Sequence, residues 1–283
     1  MKKVDSIVQY KSLMQEIRKV CKRPYSNMYY TVEQLQRYID LERMYYHETQ
    51  GGIIFLFDEG LYYKAGLYLD GEQEFDFPEV DKKLLVRDIY REGKRDQKLP
   101  FIVKRLEELG FDNQGTTAQV CAQVQKLFSM SSRVERYVKR LEQSGFRFGI
   151  GDISQIDEME KLLYSSEIIK DYHIEYKTEE EKMQMSGNYM GVWDKDGNLC
   201  AASIVSVING VAQGVGIAIQ EKYKMSGLAP FITYYRSKWL LEQGIDLIQG
   251  WLLLCNQKSI LYHTSLGYEM TDKRADEWVK NWR

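Results

Sequence analysis

The stretch Gly216 to Pro230, GIAIQEKYKMSGLAP, has residue types spaced for anion binding. Ile217, Ala218 and Ile219 read as a buried strand. Lys224, Met225, Ser226, Gly227, Leu228 and Ala229 follow in a loop, and a helix opens on Pro230, which needs no N–H at a first helical position. A helix start presents N–H groups without intrahelical acceptors at the positive end of a dipole, so it attracts anions, phosphates above all. Downstream, Asn256 is placed to cap a further helix. Ser259 stands three residues from both Asn256 and Tyr262, so the trio occupies adjacent parts of one helix surface. The same residue types also fit a plain loop glycine, a packing tyrosine and an ordinary N-cap.

Composition narrows the classes. The chain has 283 residues, which suits two domains of about 140 residues each. With 41 acidic and 39 basic side chains the net charge is −2, which gives no electrostatic reason to expect nucleic acid or an anionic membrane as partner. Cys21, Cys121, Cys200 and Cys255 show no metal-ligand or redox spacing and read as reduced, mostly buried thiols. No metal is expected. The N-terminal residues are too charged for a signal-peptide core, and no apolar run reaches ~18 residues, so a soluble, cytoplasmic protein is expected. The 21 tyrosines are spread along the chain and read as packing residues.

The elements that must position these residues follow from periodicity. Val4 to Val20 is helical, and Thr31 with Gln34 forms a capping box for a second helix. Ile53–Phe57 and Leu61–Leu69 read as a hairpin about Asp58-Glu59-Gly60, Leu84–Ile89 and Thr116–Cys121 as strands, and Pro100–Leu109 as a helix closed by Gly110. Gln123 to Ser144 predicts one helix, its second half (129–145) connecting two domains. Phe146–Ile150 then starts a strand. Ile153–Tyr164 and Thr178–Met185 read as helices, and Tyr189–Trp193, Leu199–Ile208 and Val211–Ile219 as an antiparallel run turned at Asp196-Gly197 and Asn209-Gly210. A helix from Pro230 to Glu242, a strand Ile245–Leu254, a helix Asn256–Leu266 and a strand from Tyr268 complete the chain. The order is α+β (mixed α/β), not doubly wound.

On these residues, 146–283 resemble the GNAT superfamily of acyl-CoA-dependent N-acetyltransferases. Lys224-Met225-Ser226-Gly227-Leu228-Ala229 is similar to the family's Arg/Gln-x-x-Gly-x-Gly/Ala loop, with lysine in the first place. Asn256-Gln257-Lys258-Ser259, Tyr262 and Leu266-Gly267-Tyr268 are similar to its Asn-x-x-Ala/Ser, Tyr, Leu-Gly-Phe/Tyr helix. The resemblance implies that the loop takes the pyrophosphate of acetyl-CoA (coenzyme A), with Gly227 and Ala229 allowing close backbone approach. It implies that backbone groups of Ile217, Ala218 and Ile219 pair with the pantetheine arm, where this strand splays from Ile245–Leu254. It implies that Asn256 and Ser259 contact the cofactor or hold the helix, and that Tyr262 protonates the departing thiolate. Lys224 keeps the charge of the usual arginine but loses its fork. No acid stands in Val211–Ile219 to serve as the general base; Glu221 and His173 are the alternatives, and of the other two histidines, His47 and His263, the latter neighbours Tyr262 but is expected to point elsewhere on the helix.

The first half reads as a second copy. Leu99-Pro100-Phe101-Ile102 matches Leu228-Ala229-Pro230-Phe231-Ile232, Gly110-Phe111-Asp112 matches Gly244-Ile245-Asp246, and Cys121 with Phe128 matches Cys255 with Tyr262. This copy lacks the loop glycine at Asp96–Leu99 and carries phenylalanine, which cannot donate a proton, for Tyr262. The expectation is two tandem GNAT-like domains, each a mostly antiparallel twisted sheet flanked by helices: a degenerate one over 1–128, the connecting helix, and an acetyl-CoA-binding one over 146–283. The first would complete the fold, shape the acceptor cleft or dimerise.

The expected function is acetyl transfer from acetyl-CoA to a primary amine of a small molecule or peptide, with a homodimer as a further expectation. The alternative is a non-catalytic acyl-CoA-binding sensor or assembly module. A Fem-like transferase drawing on aminoacyl-tRNA fits less well, given the near-neutral charge and the coenzyme A loop.

Overall fold

The structure is a computed structural model and describes residues 1–71, 73–129, 134–165, 182–183 and 186–281. It divides into two compact units, Met1–Thr117 with Asp272–Arg283, and Ala118–Thr271. The last strand of the chain therefore starts in the second unit and from Asp272 onward belongs to the first, whereas the sequence reading gave all of 146–283 to the second.

The first unit begins β1 (Lys2–Lys3), α1 (Ile7–Val20), β2 (Tyr25–Ser26), α2 (Val32–Asp40), β3 (Met44–Thr49), β4 (Gly52–Asp58), β5 (Tyr62–Leu69), β6 (Lys83–Arg91) and α3 (Leu99–Glu108). β7 (Asp112–Gln123) starts in it and ends in the second unit. The second unit holds α4 (Val124–Ser129), α5 (Val134–Gln143), β8 (Arg147–Ile150), α6 (Ile156–Tyr164), β9 (Tyr189–Trp193), β10 (Leu199–Ile208), β11 (Val211–Ile219), α7 (Leu228–Glu242), β12 (Leu247–Leu253) and α8 (Gln257–Ser265). β13 (Glu269–Lys280) closes the chain. This is the expected α+β class with mainly antiparallel sheets.

Local chemistry fixes the ends of these elements. Ser6 accepts from the Gln9 N–H at 3.1 Å and starts α1. Thr31 and Gln34 form both bonds of the capping box ahead of α2. The sequence reading missed β3, and it drew one helix where α4 and α5 stand. It also started α7 at Pro230. The helix begins at Leu228, and the proline occupies its first turn, where no N–H finds an intrahelical acceptor anyway. The helix expected over Thr178–Met185 lies outside the described residues apart from 182–183. Of the four cysteines only Cys200 is buried and Cys255 is exposed, contrary to the expectation of mostly buried thiols.

Both units repeat one strand order. In the first it is β1-β3-β4-β5-β6-β13, and in the second β8-β9-β10-β11-β12-β7. Each contains an antiparallel meander whose third strand runs parallel to the next one: β5 beside β6, β11 beside β12. A parallel neighbour needs a crossover connection. In the second unit that crossover contains α7. In the first it is the stretch 70–82, which has no helix among its described residues and buries Phe75 and Phe77.

This order corrects the internal repeat. α3 follows the parallel strand β6, so its counterpart is α8, not α7. Asp96–Leu99 is therefore not the phosphate loop's counterpart. Phe128 is not Tyr262's counterpart either: it lies on α4 in the second unit, stacked on Tyr234 with ring centroids 5.2 Å apart.

Candidate functional site

The second unit opens its sheet at one place. β11 and β12 pair only over Val211–Gln213 and Leu247–Gln249, although the strands run on to Ile219 and Leu253. A β-bulge supplies the cause. Gly214 pairs with Val205 and Ile217 with Ser203, so β11 carries one residue more than β10 over this interval, and a bulge bends its strand. Gly216 sits in it at φ 119, a conformation closed to most side chains. The strands part beside two glycines, and a Cβ on Gly250 would lie 3.2 Å from the Gly214 carbonyl oxygen.

Past the bulge, β10 covers one edge of β11, and the Gln220 N–H donates to the Cys200 carbonyl at 2.9 Å. Alternation along a strand then turns the backbone groups of Ala218 toward β10 and those of Ile217 and Ile219 toward the open edge. Among the described residues no strand covers that edge. The side chains of Ile217 and Ile219 pack with Phe231 and Ile232 of α7, and Ala218 packs on the other face with Ile156 and Met159 of α6.

The loop after β11 is pinned by its own groups. Tyr223 donates to Asp194 at 2.5 Å, and the Ser226 hydroxyl donates to the Tyr223 carbonyl at 2.5 Å. Met225 is fully exposed and held at φ 65, and Gly227 at φ 89 precedes the first turn of α7. Between these two left-handed residues the Ser226 N–H donates to the Tyr223 carbonyl at 3.2 Å. Among the described residues none accepts from the N–H groups of Met225, Gly227, Leu228 or Ala229. Lys224 pairs with the carboxylate of Glu221, and both side chains are exposed. Glu221, an alternative general base, is thus held on the surface. His173, the other, lies outside the described residues.

α8 brings the downstream residues together. The Asn256 side-chain oxygen accepts from the Ser259 N–H at 3.1 Å, so its acceptor is used in capping. His263 Nδ1 donates to the Ser259 carbonyl at 2.8 Å. Tyr262 lies 3.1 Å from the Thr233 hydroxyl, which joins it to the helix that the loop opens. Burial pushes the Tyr262 phenol above its ordinary value, while the Thr233 hydrogen bond and the Arg236 charge pull it down. It therefore keeps its proton at neutral pH, as a proton donor must.

Residues that sequence reasoning passed over complete the site. Arg236 and Thr233 share the buried face of α7, and Ser203 stands opposite on β10. Gly214 and Gly216 within one strand were a legible bulge signal; a buried arginine had none.

The first unit has the same parting of strands, filled by its own chain. β5 and β6 pair only as far as Ala65 and Val86. Beyond that point β2 pairs with Tyr68 and Leu69 of β5. Asn27 donates to the carbonyls of Ala65 and Arg87 at 3.2 and 3.0 Å and accepts from the Leu67 N–H at 2.6 Å. The Tyr25 hydroxyl donates to Asp88 at 2.9 Å. The edge of β5 beyond Ala65 is thus covered at Leu67, Tyr68 and Leu69.

No protein-family model matches the chain, and no curated protein matches it by sequence. Solved structures do match. A GCN5-related N-acetyltransferase from Kribbella flavida is 13% identical, with 88% of this chain and 93% of that chain covered and a TM-score of 0.54. The GCN5-related glucosamine N-acetyltransferase region of a fungal multi-domain β-N-acetylglucosaminidase is 10% identical over 80% of this chain and 31% of that chain, with a TM-score of 0.54. Likeness at such identities establishes architecture alone, and the chain has the fold of the GNAT N-acetyltransferases.

Proposed function

We propose that the second unit is an acyl-CoA-dependent N-acyltransferase that moves an acetyl group from acetyl-CoA to a primary amine of a small molecule or peptide. The observation that carries this reading is the open edge of β11, at Ile217 and Ile219, leading directly into a loop in which the N–H groups of Met225, Gly227, Leu228 and Ala229 have no acceptor among the described residues. An extended amide-containing arm ending in a pyrophosphate suits both features: the amides pair with the strand edge and the phosphates with the helix start. Lys224 stands at that end, paired with Glu221.

In the transfer the amine nitrogen attacks the thioester carbonyl, the C–N bond forms and the C–S bond breaks. The electron pair leaves on sulfur, which takes the Tyr262 proton. β11 carries no acid and Glu221 is tied to Lys224. The amine accordingly arrives neutral and gives its surplus proton to solvent, from which the Tyr262 phenolate regains its own.

The test is release of coenzyme A thiol over an amine panel, in the wild type and in Tyr262→Phe. The expected result is turnover with one amine class and a fall in kcat of about 100-fold in the variant. Unchanged turnover in Tyr262→Phe would remove the proton-donor role. The acid-free β11 favours a second reading, a non-catalytic acyl-CoA-binding module; tight binding without acylation of any amine would establish it.

A further inference from the structure

Arg236 lies on the buried face of α7 and is only 3% exposed. Its Nη1 donates to the Ser203 hydroxyl at 3.2 Å and its Nη2 to the Tyr268 hydroxyl at 3.3 Å. Ser203 passes the contact on, donating to the Gly216 carbonyl at 2.8 Å, in the bulge itself. A Cβ on Gly214 would lie 3.9 Å from Nη1, so the guanidinium sits where β11 and β12 part. Nε is buried without a partner, and among the described residues no carboxylate pairs with this cation. An uncompensated buried charge is costly. Thr233 precedes Arg236 by three residues on the same helix surface and meets the Tyr262 hydroxyl at 3.1 Å.

Resting on the transfer reading above, we propose that Arg236 is a positioning residue of the acyl-transfer site: through Ser203 it holds the bulge that opens β11, and its charge stands beside the Tyr262 hydroxyl. The charge also has a purpose in the reaction. As the C–S bond breaks and Tyr262 gives its proton to sulfur, negative charge develops first on sulfur and then on the phenolate. A fixed cation in a water-poor site favours both. The groups facing Tyr262 are Thr233 and Arg236 from α7, the Tyr268 hydroxyl that Arg236 itself engages, and the His263 ring, 5.4 Å away edge-on. Burial lowers the His263 pKa, so at neutral pH that ring is uncharged and Arg236 supplies the cation.

The proposal is tested with 3-fluorotyrosine placed at 262, whose phenol ionises at lower pH than tyrosine and reports by fluorine NMR. Arg236→Met should raise its titration midpoint, and Arg236→Lys should leave it near the wild-type value. Ser203→Ala cuts the link to the bulge and keeps the charge; it should lower kcat about tenfold with the midpoint unchanged. Arg236→Met should lower kcat about 10–100-fold with little change in KM for acyl-CoA. A midpoint that stays put in Arg236→Met, or rises equally in Arg236→Lys, overturns the proposal. Should Arg236→Met fail to fold by near-ultraviolet circular dichroism, the lysine and Ser203→Ala variants decide it by the same readouts. If the wild type acylates no amine, the functional reading falls, while the NMR midpoints still decide whether Arg236 governs Tyr262.

Discussion

At the scale of single residues, Tyr262 and the absence of an acid on β11 would set the pH behaviour of the proposed transfer. The phenol lies above its ordinary value of 10.0 because it is buried, so the proton donor stays loaded well into alkaline solution. The proposed transfer assigns no protein base to the amine's proton. The rate should therefore rise with pH as the acceptor deprotonates, and the acid limb of kcat/KM should move with the acceptor's own pKa from one amine to another. An acid limb fixed at one pH for all acceptors would reveal a protein base. The placement of Gly227 ahead of one helix, and of Asn256 and Tyr262 on another, was legible in the sequence because each spacing lies within one loop or one helix. Thr233, Arg236 and Ser203 were not. In LAPFITYYRSKWLLE the run Arg236-Ser237-Lys238 reads as a solvent face, yet only Lys238 is exposed. Which polar residues turn inward is decided by the strand opposite, not by the helix.

At the scale of elements, one feature distinguishes the two units: what fills the gap between the parallel strands. β11 beyond its bulge is open, whereas β5 beyond Ala65 is closed by Tyr25–Tyr29. Asn27 closes it with its amide and is 6% exposed. Asn27→Ala strands two carbonyls and an N–H in a buried place, and each unmet group costs about 1–3 kcal/mol. A loss of roughly 3 kcal/mol in chemical denaturation is expected; a loss below ~1 kcal/mol would mean that water or a shifted backbone replaces the amide. The repeat drawn from the sequence was out of phase because it aligned helix endings. Gly110 and Gly244 both close helices in the left-handed conformation, at φ 81 and φ 71, and such a cap recurs wherever a helix ends. Strand pairing, which defines the true counterparts, is not written in local spacing.

At the scale of the molecule, the chain's last strand is built into its first unit. β13 pairs antiparallel with β6 from Lys273 to Lys280, and Trp278, 1% exposed, packs with Leu84, Val86, Leu106 and Phe111. Trp278→Ala should destabilise the first unit by about 3–5 kcal/mol. Hydrogen exchange should then quicken in β4–β6 and remain near wild type in β9–β11; the reverse pattern would place the strand elsewhere. Pairing between residues nearly two hundred positions apart leaves no trace in composition or period, which is why β13 read only as the end of the second half. Among the described residues no helix is long and apolar enough to cross a membrane. The central claim is that an acyl-CoA arm lies along the open edge of β11 and at the start of α7, and nowhere else. Native mass spectrometry of the whole chain titrated with acetyl-CoA tests it most directly. One molecule bound per chain, and none in Gly227→Glu, is the predicted result; no binding to the wild type, two molecules per chain, or retained binding in Gly227→Glu would contradict it.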